Sequence, residues 1–252
     1  MSMNQKRDPI GVFDSGVGGI STLREMIREL PDERFIYFGD MANAPYGTKN
    51  TEEVITCVRS VVDRLMEQNI KALVIACNTA TGAAAAVLRD ELSIPVVGME
   101  PALKPASKAR KNGSVLVLAT PLTLHQEKFE NLMKQYGEGA VKVPCPGLME
   151  LVEADDTEGA KRYLEKLFSR YPAETVDAVV LGCTHYVFLK DMIRGLLPER
   201  IAITDGNTGT ARQLRRVLAA ENLLNEEGPG SVELETSGTE KDVELMKKLL
   251  IQ

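Results

Sequence analysis

Two cysteines in the sequence, Cys77 and Cys183, stand in similar surroundings. Each closes a strand-length apolar run, residues 72–77 and 178–183, and each is followed by hydroxyl or amide side chains. A free thiol has a pKa of about 8.5, and the N-terminus of a following helix lowers it, so both positions favour a thiolate. Two thiols that face one another across a cleft can remove a proton from one face of a carbon and deliver a proton to the other. The pair therefore predicts an enzyme that inverts a stereocentre, although one strand-end cysteine alone is most often a small buried apolar residue.

Polar side chains beside the two thiols are the candidates for binding a small carboxylate. Asp14 can orient an ammonium group or handle a proton near Cys77, and His185 can assist near Cys183. Both have a structural alternative, because Asp14 can cap the turn after it and His185 can make a structural hydrogen bond. The amides of residues 16–19 and the first N–H groups of the following helices add donors for an anion. The side chains that supply hydroxyl or amide groups are Ser15, Asn78, Thr79 and Thr184.

The elements that must position these residues are short apolar runs that alternate with longer amphipathic segments. The pattern predicts strands at residues 10–13, 35–38, 72–76 and 95–98, with helices at 22–30, 51–68 and from about 80 to 92. Thr51 is a plausible N-cap for the long helix. Such alternation is typical of a parallel sheet that is covered by helices.

The second half repeats this plan at an offset of 106 residues, which is the separation of Cys77 and Cys183. One offset without gaps is what a duplicated α/β unit would produce, and the alternative is that regular α/β spacing aligns by chance. The offset maps residues 10–13 onto 116–119, the helix from Thr51 onto 157–171, residues 95–97 onto 201–203, and the loop at Gly47 onto Glu153. The strand that ends at Asp14 then corresponds to the strand that ends at Thr120.

The repeat predicts an α/β fold of two pseudo-symmetric lobes with parallel sheets and an active site in the cleft between them. The first lobe comprises residues 1–97 and 207–252, and the second comprises residues 98–206. The lobe hinge is expected near Gly98 and Gly206. Because ligands bind at the carboxyl ends of parallel strands, both thiols are expected to point into the cleft.

Composition excludes several classes of protein. The chain has 252 residues, of which 44% are hydrophobic, enough for a packed core. No apolar run reaches the ~18 residues of a membrane span, and the N-terminal residues lack the apolar segment of a secretory signal. The net charge of −6, with no basic block, argues against nucleic acid as a partner. The cysteines form no CxxC or CxxH pattern, so we expect no metal site, and we expect the reduced thiols of a cytoplasmic protein.

A nucleotide site is a rival interpretation of the first lobe. Residues 16–19 form a glycine-rich turn between a strand and a helix, and Asp40 ends the next strand, as a ribose-binding acid would. However, Ser21 occupies the third glycine position, and Asp14 is a poor neighbour for a pyrophosphate. The interpretation also leaves the second cysteine unexplained. A thiol redox protein is a further alternative, which would need the two cysteine Cα atoms within ~7 Å.

Four segments together resemble the signature segments of the glutamate racemase family, within the aspartate/glutamate racemase superfamily. They are VFDSGVGG at residues 12–19, PYG at 45–47, ACNTA at 76–80 and LGCTHY at 181–186. The similarity extends from Ile10 to about Leu218. It implies cofactor-independent interconversion of L- and D-glutamate, which supplies D-glutamate for peptidoglycan, by a cytoplasmic protein that forms a homodimer. A racemase for aspartate or a hydantoin remains the alternative within the superfamily.

The resemblance also implies a role for each site residue. Cys77 would act on D-glutamate with Asp14 assisting, and Cys183 would act on L-glutamate with His185 assisting. Glu153, in a loop, occupies the place of a second-lobe glutamate that helps in the family, and Glu150 is the second choice. The positions that look like substrate contacts are Asp14, Ser15, Tyr46, Gly47, Asn78, Thr79, Thr120, Thr184 and His185.

Overall fold

Nine strands in two parallel sheets form the framework of the computed structural model, which describes residues 3–251 and the side chains of residues 5–251. The strands are β1 (Ile10–Asp14), β2 (Arg34–Gly39), β3 (Ala72–Ile75), β4 (Val96–Gly98), β5 (Ser114–Ala119), β6 (Ala140–Pro144), β7 (Val176–Leu181), β8 (Ala202–Asp205) and β9 (Ser231–Thr236). The first sheet has the order β4-β3-β1-β2-β9, and the second has the order β6-β5-β7-β8. All pairings are parallel.

Helices cover both faces of each sheet. They are α1 (Met3–Arg7), α2 (Ile20–Glu29), α3 (Thr51–Met66), α4 (Asn78–Glu91), α5 (Leu103–Ala109), α6 (Pro121–His125), α7 (Glu127–Tyr136), α8 (Leu148–Glu153), α9 (Thr157–Phe168), α10 (Lys190–Leu196), α11 (Asn207–Ala220) and α12 (Glu240–Leu250). Short 3₁₀ helices span Met41–Asn43, Tyr46–Thr48, Ala173–Thr175 and Thr184–Leu189. Across residues 3–251, the helices are all too short or too polar to cross a membrane.

The two sheets share one topology, which confirms the predicted α/β fold with two similar parallel sheets. Read from its other edge, the second sheet runs β8-β7-β5-β6, which matches β4-β3-β1-β2 in the first. Strand β9 extends the first sheet beyond β2. The C-terminal segment thus packs against the first sheet, and Met246 and Leu249 of α12 join the apolar core on one of its faces.

The single offset of 106 residues holds for β3 and β7 but is wrong by one residue for the other three pairs of corresponding strands. Ala72 pairs with Ile10, whereas Ala178, 106 residues later, pairs with Val115, which is only 105 residues after Ile10. The counterpart of Asp14 is therefore Ala119 rather than Thr120. The error has a physical cause, because strands buried on both faces read as continuous apolar runs and carry no alternation that would fix their register.

The chain between the end of β4 and residue 157 contains more helices and strands than the sequence pattern indicated. Strand β6 and helices α5, α6, α7 and α8 were not predicted, and Glu153 ends α8 instead of lying in a loop. The helices are short, and α8 spans Leu148–Glu153. A helix of this length is stabilised by its tertiary contacts more than by its sequence periodicity.

Candidate active site

A small cavity lies at the carboxyl ends of the central strands of both sheets. Both Cys77 and Cys183 line it, so the structure brings the two predicted thiols to one site. The complete lining is Ser15, Gly47, Cys77, Asn78, Thr79, Thr120, Met149, Gly182, Cys183, Thr184 and His185. All of these except Met149 and Gly182 are among the residues that the sequence singled out.

Cys77 is held at the start of helix α4. Its sulfur accepts a hydrogen bond from the N–H of Ala80 at 3.4 Å and lies 3.6 Å from the Ser15 hydroxyl. Burial raises the pKa of the Cys77 thiol to about 12, and the carboxylate of Asp14 adds to the increase. The expectation that the helix start would favour a thiolate is wrong for Cys77, because desolvation outweighs the two hydrogen bonds.

Cys183 differs from Cys77 in its immediate partners. It precedes the 3₁₀ helix Thr184–Leu189, and its sulfur lies 3.8 Å from Nδ1 of His185. The other ring nitrogen, Nε2, lies 3.0 Å from Oε1 of Glu153. Cys183, His185 and Glu153 therefore form a continuous chain in which an imidazolium donates one N–H to sulfur and the other to a carboxylate.

The charge of His185 follows from this chain. Burial alone would lower the pKa of the imidazole, but hydrogen bonds and charge interactions with Cys183 and Glu153 outweigh it, so the pKa lies well above its ordinary value. His185 is therefore protonated at neutral pH. The positive ring stabilises negative charge on the Cys183 sulfur.

Asp14 links the two lobes beneath the cavity. As the last residue of β1, it accepts a hydrogen bond from the N–H of Gly16 at 2.9 Å and one from the Thr184 hydroxyl at 3.0 Å. Burial raises the pKa of Asp14, while the positive charge of His185 and the two hydrogen bonds oppose the increase. Asp14 caps the turn after it, as the structural alternative expected, and it also lies close enough to Cys77 to influence that thiol by charge.

Hydroxyl and amide groups form a further part of the cavity wall. The Thr79 hydroxyl lies 3.0 Å from that of Thr120 and 2.9 Å from that of Thr123. Asn78 donates from Nδ2 to the sulfur of Met99, and its buried Oδ1 has no hydrogen-bond partner within the part of the chain that the structure describes. A buried amide oxygen without a partner is costly, so this group is available to a ligand at the cavity.

Comparison with known proteins decides the family. A family model described as Asp/Glu/Hydantoin racemase matches residues 10–214 of the chain. The chain belongs to the Asp/Glu/Hydantoin racemase family. It is accordingly an isomerase, and the family resemblance inferred from the four sequence segments is confirmed.

Relatives within the racemase family match over nearly the whole chain. A glutamate racemase from Clostridium botulinum is 46% identical in an alignment that covers 98% of this chain and 99% of the relative. A glutamate racemase isoform from Bacillus anthracis has 33% identity and a TM-score of 0.88, with 98% of this chain and 94% of that chain covered. A glutamate racemase from Francisella tularensis, solved in complex with D-glutamate, has 26% identity and a TM-score of 0.84, with 98% and 95% covered.

Three of the predicted site residues lie behind the cavity lining of this racemase fold. Asp14 and Glu153 contact lining residues, as described above. Tyr46 is fully buried, and its hydroxyl donates to Asp40 at 2.6 Å instead of reaching the cavity. Its neighbour Gly47 does line the cavity. The sequence indicated the loop correctly but could not show which of its residues faces inward.

The structure removes the support for a nucleotide site. Asp40, the candidate ribose-binding acid, accepts hydrogen bonds from Tyr46, Asn43 and Ser237. Its carboxylate is thus engaged within the protein.

The structure also separates the two candidates for the assisting glutamate. Glu150, the second choice, is exposed, whereas Glu153 contacts His185.

Proposed function

We propose that the protein interconverts L- and D-glutamate without a cofactor, with Cys77 and Cys183 as the two proton-transfer groups. The observation that carries this proposal is that both thiols line one small cavity from different lobes. Glutamate is the proposed substrate because the most similar relatives are named glutamate racemases and one relative was solved with D-glutamate.

The unequal surroundings of the thiols suggest the resting protonation state. In our proposal, Cys183 is the first base because the His185 imidazolium lies beside its sulfur, and Cys77 is a neutral thiol because its pKa is raised to about 12. This state is ready for L-glutamate: Cys183 takes the α-proton, and the Cys77 thiol delivers its own proton to the opposite face. The product is D-glutamate, with Cys183 protonated and Cys77 as the thiolate.

The reverse reaction begins from that second state. The N–H of Ala80 and the Ser15 hydroxyl contact the Cys77 sulfur and stabilise its thiolate. Cys77 then takes the α-proton of D-glutamate and Cys183 returns a proton. The α-proton of an amino acid is weakly acidic, so donors to the substrate carboxylates and exclusion of water must stabilise the carbanionic transition state. The proposed donors are Ser15, Gly47, Thr79, Thr120 and Thr184, and the free Oδ1 of Asn78 is a proposed acceptor for the substrate ammonium group.

The cellular role follows from the product. D-Glutamate is a component of peptidoglycan, so we propose a cytoplasmic supply role in cell-wall synthesis and cell shape. We also propose a homodimer, which analytical ultracentrifugation would test. A monomer at all accessible concentrations would contradict that part of the proposal.

The substrate is tested by comparing amino acids side by side. Each enantiomer of glutamate and of aspartate is incubated with the purified protein without added cofactor, and circular dichroism follows the optical activity. We expect both glutamate enantiomers to reach a racemic mixture and aspartate to react far more slowly. Faster loss of optical activity with aspartate would contradict the glutamate assignment.

A further inference from the structure

The glycine-rich turn between β1 and α2 has no part in the proposed chemistry as described so far. A Cβ atom on Gly18 would lie well under 3.0 Å from Nδ1 and Cε1 of His185 and from the Thr184 hydroxyl. A Cβ atom on Gly16 would meet Oε1 of Glu153 just as closely and would lie 3.1 Å from Nε2 of His185. Backbone of the first lobe therefore lies directly against the chain of groups that serves Cys183.

Glycine is required at these two positions because neighbouring side chains leave no room for a Cβ atom, and not because of the backbone conformation. Neither Gly16 nor Gly18 has a φ in the left-handed range, so an L-amino acid could adopt the same backbone. Gly19 serves a different purpose, because its Cβ would meet Asp14, Ala76 and Tyr37, which lie in or directly after strands of the first sheet.

Hydrogen bonds to its backbone hold the glycine-rich turn in position. The Tyr37 hydroxyl donates to the carbonyl of Gly16 at 2.7 Å, and the Ser21 hydroxyl donates to the carbonyl of Gly18 at 2.8 Å. The N–H of Gly16 is held by Asp14 at 2.9 Å. An added methyl group would consequently displace the side chains opposite it rather than the turn.

We propose that Gly16 and Gly18 are positioning residues, which form a backbone wall that holds His185 and Glu153 in line with Cys183. This inference rests on the proposed function. The wall fixes the imidazole 3.8 Å from the Cys183 sulfur, and the absence of side chains on the turn lets the ring approach. A displacement of about 1 Å in such an arrangement can cost on the order of 10²-fold in rate.

The first test compares Gly18→Ala with a matched control. In Gly11→Ala, the new Cβ would lie 2.8 Å from Cδ1 of Ile70, at a crowded position away from the cavity. We expect Gly18→Ala to lower kcat by on the order of 10²-fold, because His185 moves away from Cys183. We expect Gly11→Ala to change stability while leaving kcat near that of the wild type.

Deuterium isotope effects on the reaction show which of the two thiols the Gly18→Ala substitution affects. If the Cys183 step becomes rate-limiting in Gly18→Ala, the deuterium isotope effect rises with α-deuterated L-glutamate and falls with α-deuterated D-glutamate. A general structural defect would lower the rate while leaving both isotope effects at their wild-type values, and that result would overturn the proposal.

A second test uses the contact between Gly16 and Glu153. We expect Gly16→Ala to lower kcat in the wild-type background but to have little further effect in the Glu153→Ala background, because the displaced carboxylate is already absent. Glu153→Ala also clears the space for the new methyl group, so the double variant folds even if Gly16→Ala alone does not. Equal losses in both backgrounds would overturn the proposal.

The outcomes separate this inference from the proposed function. If wild-type protein leaves the α-proton of glutamate in place, both fail together. If wild-type protein racemises glutamate, Cys183→Ala is inactive, and Gly18→Ala keeps wild-type isotope effects, then the two-thiol function stands and the positioning role of the turn is overturned.

Discussion

Cys77 and Cys183 differ in what surrounds their sulfur atoms. Burial keeps the Cys77 thiol neutral by raising its pKa, although Ser15 and the first turn of α4 contact its sulfur and oppose that increase. A protonated His185 contacts Cys183. The proposed reaction needs one acid and one base at any moment, and in our proposal this difference supplies them before substrate binds.

Removal of either thiol should abolish racemisation. We expect Cys77→Ala and Cys183→Ala each to lower kcat by on the order of 10³-fold or more, because a proton-transfer group is lost. The control is Cys145→Ala, since Cys145 is also buried and its thiol donates to the carbonyl of Val143. We expect this control to keep most of its activity in a polarimetric assay. Retention of more than a few per cent of activity by either of the first two variants would refute the two-thiol assignment.

The protonation of His185 should limit activity at high pH. The pKa of His185 is raised in the folded protein, so its positive charge persists at neutral pH and is lost only as the pH rises through that raised value. We expect kcat for L-glutamate to fall along this alkaline limb as His185 loses its proton. The residual activity of His185→Asn should not show this decrease of kcat at alkaline pH. An unchanged limb in that variant would assign it to another group.

At the scale of elements, a buried ion pair holds the first sheet at the end opposite the site. Lys71 and Glu33 precede β3 and β2, and both side chains are almost fully buried. Glu33 also accepts a hydrogen bond from the N–H of Asn225, so the pair attaches the C-terminal segment to the sheet. Once one partner is removed, the other becomes an unpaired buried charge.

The ion pair predicts a large loss of stability on breaking it. We expect Lys71→Met to lower the free energy of unfolding by about 3–5 kcal/mol, because Glu33 remains buried without its partner. Arg59→Ala, which breaks the exposed pair of Arg59 and Glu91, should cost less than about 1 kcal/mol. Urea unfolding measures both. Similar losses in the two variants would contradict the account of the buried pair.

The sequence predicted most strands of the first sheet and the location of the lining residues, because polar groups follow each strand end. It could not fix the register of β5 against β7, since neither strand has an alternating pattern. It also could not place Met149 in the cavity, because α8 is short and its orientation depends on contacts with the second sheet. Nor could it show that Gly47 rather than Tyr46 lines the cavity. That outcome depends on the hydrogen bond from the Tyr46 hydroxyl to Asp40, which joins residues from two elements.

At the scale of the whole molecule, hydrogen bonds join the two lobes around the cavity. The Thr184 hydroxyl donates to Asp14, and the Ser21 hydroxyl shares its proton between the carbonyl of Gly18 at 2.8 Å and that of Thr184 at 3.2 Å. On the other side, the hydroxyls of Thr79 and Thr120 meet. We therefore expect the lobes to separate for substrate entry and to exclude water when they close.

Loss of one contact between the lobes should favour the open state. We expect Ser21→Ala to increase amide hydrogen exchange over the 3₁₀ helix Thr184–Leu189 and to raise KM by about fivefold, which corresponds to one hydrogen bond of about 1 kcal/mol. The control is Ser107→Ala, which removes an exposed hydrogen bond to the carbonyl of Lys104 within one lobe. Exchange that rises equally in both variants would contradict this account of closure.

The central claim is that two different groups transfer protons on opposite faces of the substrate. Its most direct test follows L- and D-glutamate separately by NMR in D₂O with wild-type protein and no added cofactor. We predict that each enantiomer yields a product that carries deuterium at the α-carbon, while the remaining substrate keeps its original proton at early times. Early deuterium in the recovered substrate to the same extent as in the product, or no exchange with either enantiomer, would contradict the claim.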